Sequence, residues 1–316
     1  MRKECKVAKT ANIASVQGYH QGGYGHGQAY AMMGFKNGFN YYNSDRCIPV
    51  IDGKRKDNGP MLCYGLEIET ECSRITDDTV LAEIYDKIIF QQFKFPEMFK
   101  MQADGSLGGK SSAECITQLM TKARIRNDYT TYKMMFNQYF PALGIKADSY
   151  TTQCGMHVNV SNEVFGDTVE KRETAIRKLY YIINRHYDFC CKLFYRSPAR
   201  TTWCGQMYYG NARTLDLHSM PNDHGKCFNG SHYDAGRIEI RLVGGQKDFG
   251  CFRNTMESVF FLCDRVKSIS WDDCDKIDKI FKGCNQYVFD RLKTRCDLSS
   301  EIIEAIRPTV KREDLV

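Results

Sequence analysis

The stretch CYGLEIETEC, residues 63–72, places glutamates at three alternate positions, Glu67, Glu69 and Glu71. Alternate residues of an extended strand point to the same side, so this pattern predicts a strand with one acidic face and one apolar face. Leu66 and Ile68 belong to the apolar face, which we expect to pack into a core. A solvated sheet edge explains the acidic face, and so does a cation held against it.

Three later segments alternate in the same way. The strands predicted at residues 112–118, 155–161 and 236–245 each carry charged or polar groups on one face. The first of them follows a turn, DGSLGG, that contains Asp104 and Ser106. The charged or polar groups on the three strands are Glu114, His157, Asn159, Arg237, Glu239 and Arg241.

Helical spacing of apolar residues separates these strands. It predicts helices at residues 129–140, 168–194, 251–268 and 272–292, and another after a candidate N-cap at Thr76. Parallel strands buried on both faces are continuous apolar runs, whereas these strands alternate. The sequence therefore predicts an α+β fold, in which an antiparallel sheet packs helices on one face and leaves the other face open as a working surface.

The composition is that of a globular protein. Hydrophobic residues make up 42% and charged residues 26% of the 316-residue chain, and its net charge of +6 comes from scattered basic residues. This excess suits anionic ligands better than nucleic acid. No apolar run approaches the ~20 residues of a membrane span, and the N-terminus lacks the apolar core of a secretory signal. We therefore expect a cytoplasmic protein.

The cysteines predict reduced thiols rather than a disulfide framework. The chain has 15 cysteines, an odd number, and contains no CxxC pair. A polar loop holds His218, His224, Cys227 and His232, but their spacing matches no common zinc site. Cys154 and His157 are three residues apart in a predicted strand and so point to opposite faces, which argues against a catalytic dyad.

The chain divides by composition into three parts. We predict a Gly/Tyr/His-rich extension over residues 1–60, a main domain of alternating strands and helices over 61–265 and a helical segment over 266–316. The extension could serve as a lid, a docking arm or the clasp of a homo-oligomer.

The four predicted strands together indicate a chemistry that none of them indicates alone. Each has an ordinary structural explanation, such as a solvated face, a turn or a ladder of cross-strand ion pairs. Carboxylates with one imidazole suit hard divalent cations such as Mg²⁺ or Mn²⁺, and interleaved arginines suit phosphate oxygens. Divalent cations and arginines around one cleft are typical of phosphoryl transfer.

The same motifs carry a family resemblance. GLEIE, then DGSL with a downstream glutamate, then CGMHVNVS and RIEIR resemble the amidoligases, carboxylate–amine ligases related to glutamine synthetase and γ-glutamylcysteine ligase. The resemblance covers about residues 62–245 and implies that the domain over 61–265 is an amidoligase-like catalytic domain. It implies a curved antiparallel sheet that forms half a funnel, with helices on its outer face. The implied activity is ATP- and Mg²⁺-dependent formation of an amide or isopeptide bond through an acyl phosphate.

The resemblance also implies roles for individual residues. The ligands of Mg²⁺ or Mn²⁺ would be Glu67, Glu69, Glu114, His157 and Glu239. The catalytic groups would be Arg241, Glu239 and Asp104. The groups that contact ATP would be Arg196, Arg213, Arg237, Asn159 and Ser106. Glu71 has no counterpart in the family.

The partners implied are ATP, a carboxylate substrate and an amine substrate, each of the two an amino acid, a peptide or a protein side chain. No nucleic acid or membrane partner is expected. Two other interpretations remain open from the sequence. A metal-dependent phosphotransferase or phosphohydrolase uses the same residue types, and a non-catalytic binding or structural protein can share the fold.

Overall fold

The computed structural model of the protein describes residues 50–51, 54–55, 62–72, 74, 89, 99–103, 112–117, 120–199, 201–207 and 210–308. The helix predicted after Thr76 and the turn that carries Asp104 and Ser106 lie outside the described residues, as does most of the predicted extension over residues 1–60.

The described residues form an α+β fold, as predicted, with a mainly antiparallel sheet at its centre. A two-residue pair, β1 (Val50–Ile51) with β2 (Lys54–Arg55), stands apart from this sheet. The central sheet has the strand order β4-β5-β3-β7-β9-β8, and β6 pairs with the end of β3. Its strands are β3 (Tyr64–Cys72), β4 (Phe99–Ala103), β5 (Ser112–Thr117), β6 (Ile145–Lys146), β7 (Met156–Ser161), β8 (Phe228–Asn229) and β9 (Arg237–Ile240).

Helices follow and separate the strands. Short 3₁₀ turns occur at Asn162–Phe165, Ala212–Thr214 and Trp271–Asp273, and a π-helical turn spans Met135–Tyr139. The α-helices are α1 (Lys122–Asn127), α2 (Tyr129–Met134), α3 (Phe140–Leu143), α4 (Val169–Arg185), α5 (Tyr187–Leu193), α6 (Phe249–Arg265), α7 (Ile277–Ile280), α8 (Gln286–Arg295) and α9 (Ser300–Ala305).

The apolar face of the sheet is built from alternate residues of three neighbouring strands. Leu66 of β3 pairs with Val158 of β7, which in turn pairs with Ile240 of β9. These three side chains are essentially fully buried, and burying each one contributes about 1.5–3 kcal/mol. The alternation read from the sequence is thus the alternation between the core and the opposite face.

Helix α6 is the main element packed on this core. Asp248 caps its N-terminus by accepting a hydrogen bond from the Cys251 backbone N–H at 2.7 Å. The Phe260 ring meets Tyr64 of β3 edge-on at 4.8 Å, and Phe252 stacks on Tyr132 of α2 at 4.5 Å. The aromatic contacts join both α6 and α2 to the core beneath the sheet.

The strand predicted at residues 236–245 ends earlier, at Ile240. The Arg241 and Leu242 amides both donate to the Cys227 carbonyl, so the regular ladder stops there. Beyond it, Gly244 and Gly245 pass close to two other segments of backbone. A Cβ at Gly244 would overlap the Tyr195 carbonyl oxygen, and one at Gly245 would overlap that of Ala147. The glycine pair therefore brings the end of α5 against the end of β9.

Two predicted helices are interrupted in the structure. The helix predicted over residues 168–194 breaks at His186, whose Nε2 donates to the Cys274 carbonyl at 2.9 Å. The single helix predicted over residues 272–292 is wrong. The chain turns at Gly283, which has a positive φ of 77°, and α8 starts afresh from the N-cap Asn285.

The thirteen described cysteines are all buried and none forms a disulfide, in agreement with the prediction of reduced thiols. Among the described residues, no helix is both long enough and apolar enough to cross a membrane.

Candidate metal centre

Strand register brings the predicted site residues onto one face of the sheet. Glu67 lies opposite His157, Glu69 opposite Glu114, and Asn159 opposite Glu239. Cross-strand partners point to the same side, so these three pairs lie in adjacent rows on one face of four neighbouring strands. We call this surface the charged face; it comprises Glu67, Glu69, Glu114, His157, Asn159, Arg237, Glu239 and Arg241.

The solvated sheet edge, one of the two explanations for the acidic face, is wrong. The side chains of Glu67, Glu69, His157 and Glu239 are all buried, with residue exposures of 5–8%, and Asn159 is 1% exposed. Burial of carboxylates is expensive unless each finds hydrogen bonds or a counter-charge. The contacts of these groups therefore decide what the face can bind.

His157 stands between the carboxylates. Its Nδ1 lies 3.1 Å from Glu67 Oε2 and 3.4 Å from Glu239 Oε1, while its Nε2 lies 3.5 Å from Glu69 Oε1. A neutral imidazole has one N–H and one lone pair. If His157 is neutral, the lone pair on one of its ring nitrogens therefore points toward carboxylate oxygens and is repelled by them. A cation between them, or a second proton on the ring, removes this conflict.

Amide side chains fix two of the carboxylates. Asn159 Nδ2 donates to Glu67 Oε1 at 2.6 Å, and Asn229 Nδ2 donates to Glu239 Oε2 at 3.1 Å. The contact with Glu67 also sets which way the Asn159 amide points. Its Oδ1 is buried, and no described group donates a hydrogen bond to it. This orphaned acceptor is a second sign that the face is built for a cation or a donor.

Arg241 supplies positive charge within the face. Its Nη1 donates to Glu239 Oε1 at 2.6 Å. Burial acts to lower the pKa of the guanidinium, but Glu239, Glu67 and Glu69 outweigh burial and raise that pKa above its usual value. Arg241 is therefore held charged next to the carboxylates, where it can also meet an anion.

Two groups on the charged face have the residue types and the closeness of cation sites. In the first, one ligand atom each from Glu67, His157 and Glu239 lie within 4.8 Å of one another. In the second, the same holds for Glu69, Glu114 and His157. Oxygen-rich donor sets with one imidazole fit Mg²⁺ or Mn²⁺. Because a neutral imidazole has one lone pair, His157 can serve only one of the groups at a time.

Arg196 enters the site from the end of α5. Its Nη2 donates to the carbonyls of Arg241 and Val243 at 3.0 and 2.7 Å, and its Nε donates to that of Leu242 at 3.3 Å. Gly155 makes room for it: a Cβ there would lie 2.8 Å from Arg196 Nη2 and 3.2 Å from Glu69 Oε2. The Gly155 amide also donates to Glu69 Oε2. Two of the three guanidinium nitrogens of Arg196 thus donate hydrogen bonds to backbone carbonyls.

The structure does not bring every predicted residue into this group. Arg213 is exposed, donates to Asp272 at 3.0 Å and lies over the Trp271 ring at 5.4 Å; none of its contacts among the described residues is with the charged face. Glu71 is half-buried, and its Oε1 accepts a hydrogen bond from the Gln153 backbone N–H at 3.3 Å. It belongs to neither cation group.

The Cys/His alternatives raised by the sequence do not form sites among the described residues. The Cys154 thiol donates to the Lys146 carbonyl at 3.7 Å, while His157 faces the glutamates. His218 Nδ1 pairs with Asp234 at 2.6 Å on the surface, and the Cys227 thiol meets the Asn184 Oδ1 at 3.4 Å. Among the described residues, these loop residues form no common metal group, in agreement with their spacing.

Sequence reasoning missed Asn229 and Gly155. Asn229 lies on a two-residue strand, which is too short to show any period, and its value is visible only from its contact with Glu239. Gly155 is the first residue of the strand predicted at 155–161, and the close approach of Arg196 and Glu69 explains why a side chain is excluded there.

Comparison with known proteins adds no relative: no protein-family model matches the chain, and a search of curated proteins returns no match.

Proposed function

We propose that the protein is an ATP- and Mg²⁺-dependent carboxylate–amine ligase that forms an amide or isopeptide bond through an acyl phosphate. One observation carries the proposal. Four glutamates and one histidine from four antiparallel strands lie on a single sheet face, in two groups that share His157, and Arg241 just beyond β9 pairs with Glu239. The half-funnel form of sheet implied by the family resemblance is part of this proposal.

The metal-holding groups would be Glu67, His157 and Glu239 on one side, and Glu69 with Glu114 on the other. Bound there, divalent cations would supply positive charge to phosphate oxygens and lower the repulsion between two anionic reactants. The conflict of the His157 lone pair with the carboxylates, and the orphaned Asn159 Oδ1, support a cation at this place.

The reaction balances without a nucleophilic side chain. The substrate carboxylate attacks the γ-phosphorus of ATP, which releases ADP and leaves an acyl phosphate. The amine nitrogen then attacks the activated carbonyl, phosphate departs, and the amine loses a proton to a carboxylate or to the phosphate. Arg241, held charged by Glu239, would contact the transferring phosphate. Asn159 would hold the Glu67 carboxylate in position through its amide N–H.

A direct test is incubation of the protein with ATP, Mg²⁺ and pooled amino acids or peptides. We expect ADP release that depends on both a carboxylate and an amine, and a product lighter by one water than the sum of its two components in mass spectrometry. ADP release that needs neither substrate would instead indicate a phosphohydrolase, and transfer of phosphate to a hydroxyl would indicate a phosphotransferase.

Two variants of the same strand sharpen this test. Glu67→Gln keeps the size of the side chain but removes a charge from a cation group, and we expect it to abolish product formation. Glu71→Gln makes the same chemical change on the same face, outside both groups. It should keep near wild-type turnover. Equal activity of the two variants would contradict the assigned site.

A further inference from the structure

His224 and His232 belong to the polar loop at the Glu239 end of the charged face, and neither has a role in the proposed function. The connection is made by Asn229. Its Nδ2 donates to Glu239 Oε2 and to Asn222 Oδ1, both at 3.1 Å, and its Oδ1 accepts from the Ser231 amide at 3.0 Å and hydroxyl at 2.8 Å. Asn222 precedes His224 by two residues, and Ser231 directly precedes His232. Asn229 thus ties both histidine-bearing segments to a carboxylate of the cation group.

The turn after His232 is fixed to the same end of the sheet. The Arg237 amide, which begins β9, donates to the His232 carbonyl at 3.1 Å. Asn162, just after β7, donates from its Nδ2 to the Tyr233 carbonyl at 2.7 Å and from its backbone N–H to the Gly236 carbonyl at 2.8 Å. His232 therefore sits on a turn anchored at both ends of its span.

His232 is half-buried and His224 is exposed, and charged groups of the face act on the His232 ring. Burial lowers its pKa, and the nearby charges of Arg237 and His224 lower it further, whereas Glu239 and Glu67 act in the opposite direction. The groups that influence the ring thus include two residues of the Glu67–His157–Glu239 group, together with Arg237 and His224. By contrast, His218 is exposed and pairs with Asp234, outward from the face.

We propose that His224 and His232, with Arg237, bind the polyphosphate chain of a nucleotide at the Glu239 end of the charged face. Imidazole N–H and guanidinium groups are good donors to phosphate oxygens, and at this end they stand beside a cation group. The other end offers less, because Arg196 donates its Nε and Nη2 to three backbone carbonyls. The inference rests on the proposed function, and it implies that the carboxylate and amine substrates approach from the Glu69 end.

The test measures binding rather than turnover. Inorganic tripolyphosphate, ATP and adenosine, each with Mg²⁺, are titrated into the full chain by calorimetry. We expect ATP and tripolyphosphate to bind and to compete, and adenosine to bind far more weakly. The variants are His232→Ala, His224→Ala and, as matched control from the same loop, His218→Ala. Loss of a charge-assisted hydrogen bond to phosphate should weaken ATP roughly tenfold in His232→Ala and several-fold in His224→Ala, while His218→Ala stays within about twofold.

Each outcome decides the matter. If tripolyphosphate does not bind, or if His232→Ala and His218→Ala bind ATP equally well, the inference is wrong. Thermal unfolding of each variant without ligand shows whether a loss of binding reflects loss of the fold. If His232→Ala is destabilised, His232→Gln replaces it; glutamine keeps a hydrogen-bond donor and should restore part of the affinity for ATP. Phosphate binding that depends on His232, without any ligated product, would refute the ligase and leave this subsite standing.

Discussion

Glu67→Gln separates the stability of the metal-free protein from its response to cations. The change keeps an oxygen for Asn159 Nδ2 to donate to and removes one negative charge from the group that contains Glu239. Two unit charges 4.8 Å apart repel by about 3.5 kcal/mol at an effective dielectric of 20. Loss of attraction to Arg241 opposes this gain. We therefore expect the metal-free variant to unfold within about 1–2 kcal/mol of wild type.

The metal-bound state should differ far more. At a Mn²⁺ concentration one hundred times the wild-type dissociation constant, binding raises the free energy of unfolding by about 2.7 kcal/mol. If the loss of one of two carboxylate ligands weakens the site about a hundredfold, the gain falls to about 0.4 kcal/mol at the same concentration. At roughly 2 °C per kcal/mol for a chain of this size, the cation-induced rise in midpoint falls from about 5 °C to about 1 °C.

Thermal unfolding with and without Mn²⁺ measures both quantities, and Glu71→Gln is the control. That variant should keep the full cation-induced shift, because Glu71 belongs to neither cation group. If Glu67→Gln also kept the full shift, the cation would not be bound by the Glu67–His157–Glu239 group. If metal-free Glu67→Gln unfolded at a much lower temperature than metal-free wild type, the Glu67 carboxylate would stabilise the fold rather than bind a ligand.

Three further predictions concern the fold. Gly244→Ala should lower the free energy of unfolding by about 3 kcal/mol in denaturant titration, because its Cβ would overlap the Tyr195 carbonyl. Gly283→Ala has open space around its Cβ but a positive φ, so it should cost only about 1 kcal/mol. Arg126→Ala should cost about 3 kcal/mol, since it removes the bidentate partner of buried Glu257 and leaves it, among the described residues, with Tyr129 and Asn285. Lys171→Ala, at an exposed ion pair, should leave the unfolding midpoint unchanged. Burial lowers the pKa of His186 in the folded state, so its contribution to stability is fully present above the unfolded value near 6.5 and is lost as pH falls from there through the lower folded pKa. His186→Gln should therefore lose less stability than wild type between about pH 7.5 and 5.5.

Strands β3, β5, β7 and β9 and their faces could be predicted because apolar and charged or polar residues alternate along each of them. Leu66 and Ile68 alternate with Glu67 and Glu69, and both pairs lie on the faces expected. Alternation placed Glu114, His157 and Glu239 on the polar faces of their strands, and the family resemblance grouped them with Glu67 and Glu69 before any contact was known.

Helix ends and loop contacts could not be predicted in the same way. The break at Gly283 depends on a left-handed backbone conformation, and the break at His186 depends on a carbonyl 88 residues further along the chain. Apolar spacing continues across both positions, so it gives no warning of either break. The positions of Arg196 and Arg213 show the same limit: both are arginines on irregular segments, and only tertiary packing takes one into the site and the other to Asp272.

The burial of the charged face links its energetics to its proposed use. A face whose carboxylates were solvated would need no further explanation, but Glu67, Glu69 and Glu239 are buried around an imidazole that has one N–H to offer when neutral. Asn159, Asn229 and Arg241 satisfy single oxygens of these groups and leave an acceptor on Asn159 unused. Such a network stabilises the fold less than apolar side chains of the same volume would. This destabilisation is explained if a bound ligand supplies the positive charge, because relief of the repulsion between the buried carboxylates then contributes to the free energy of binding.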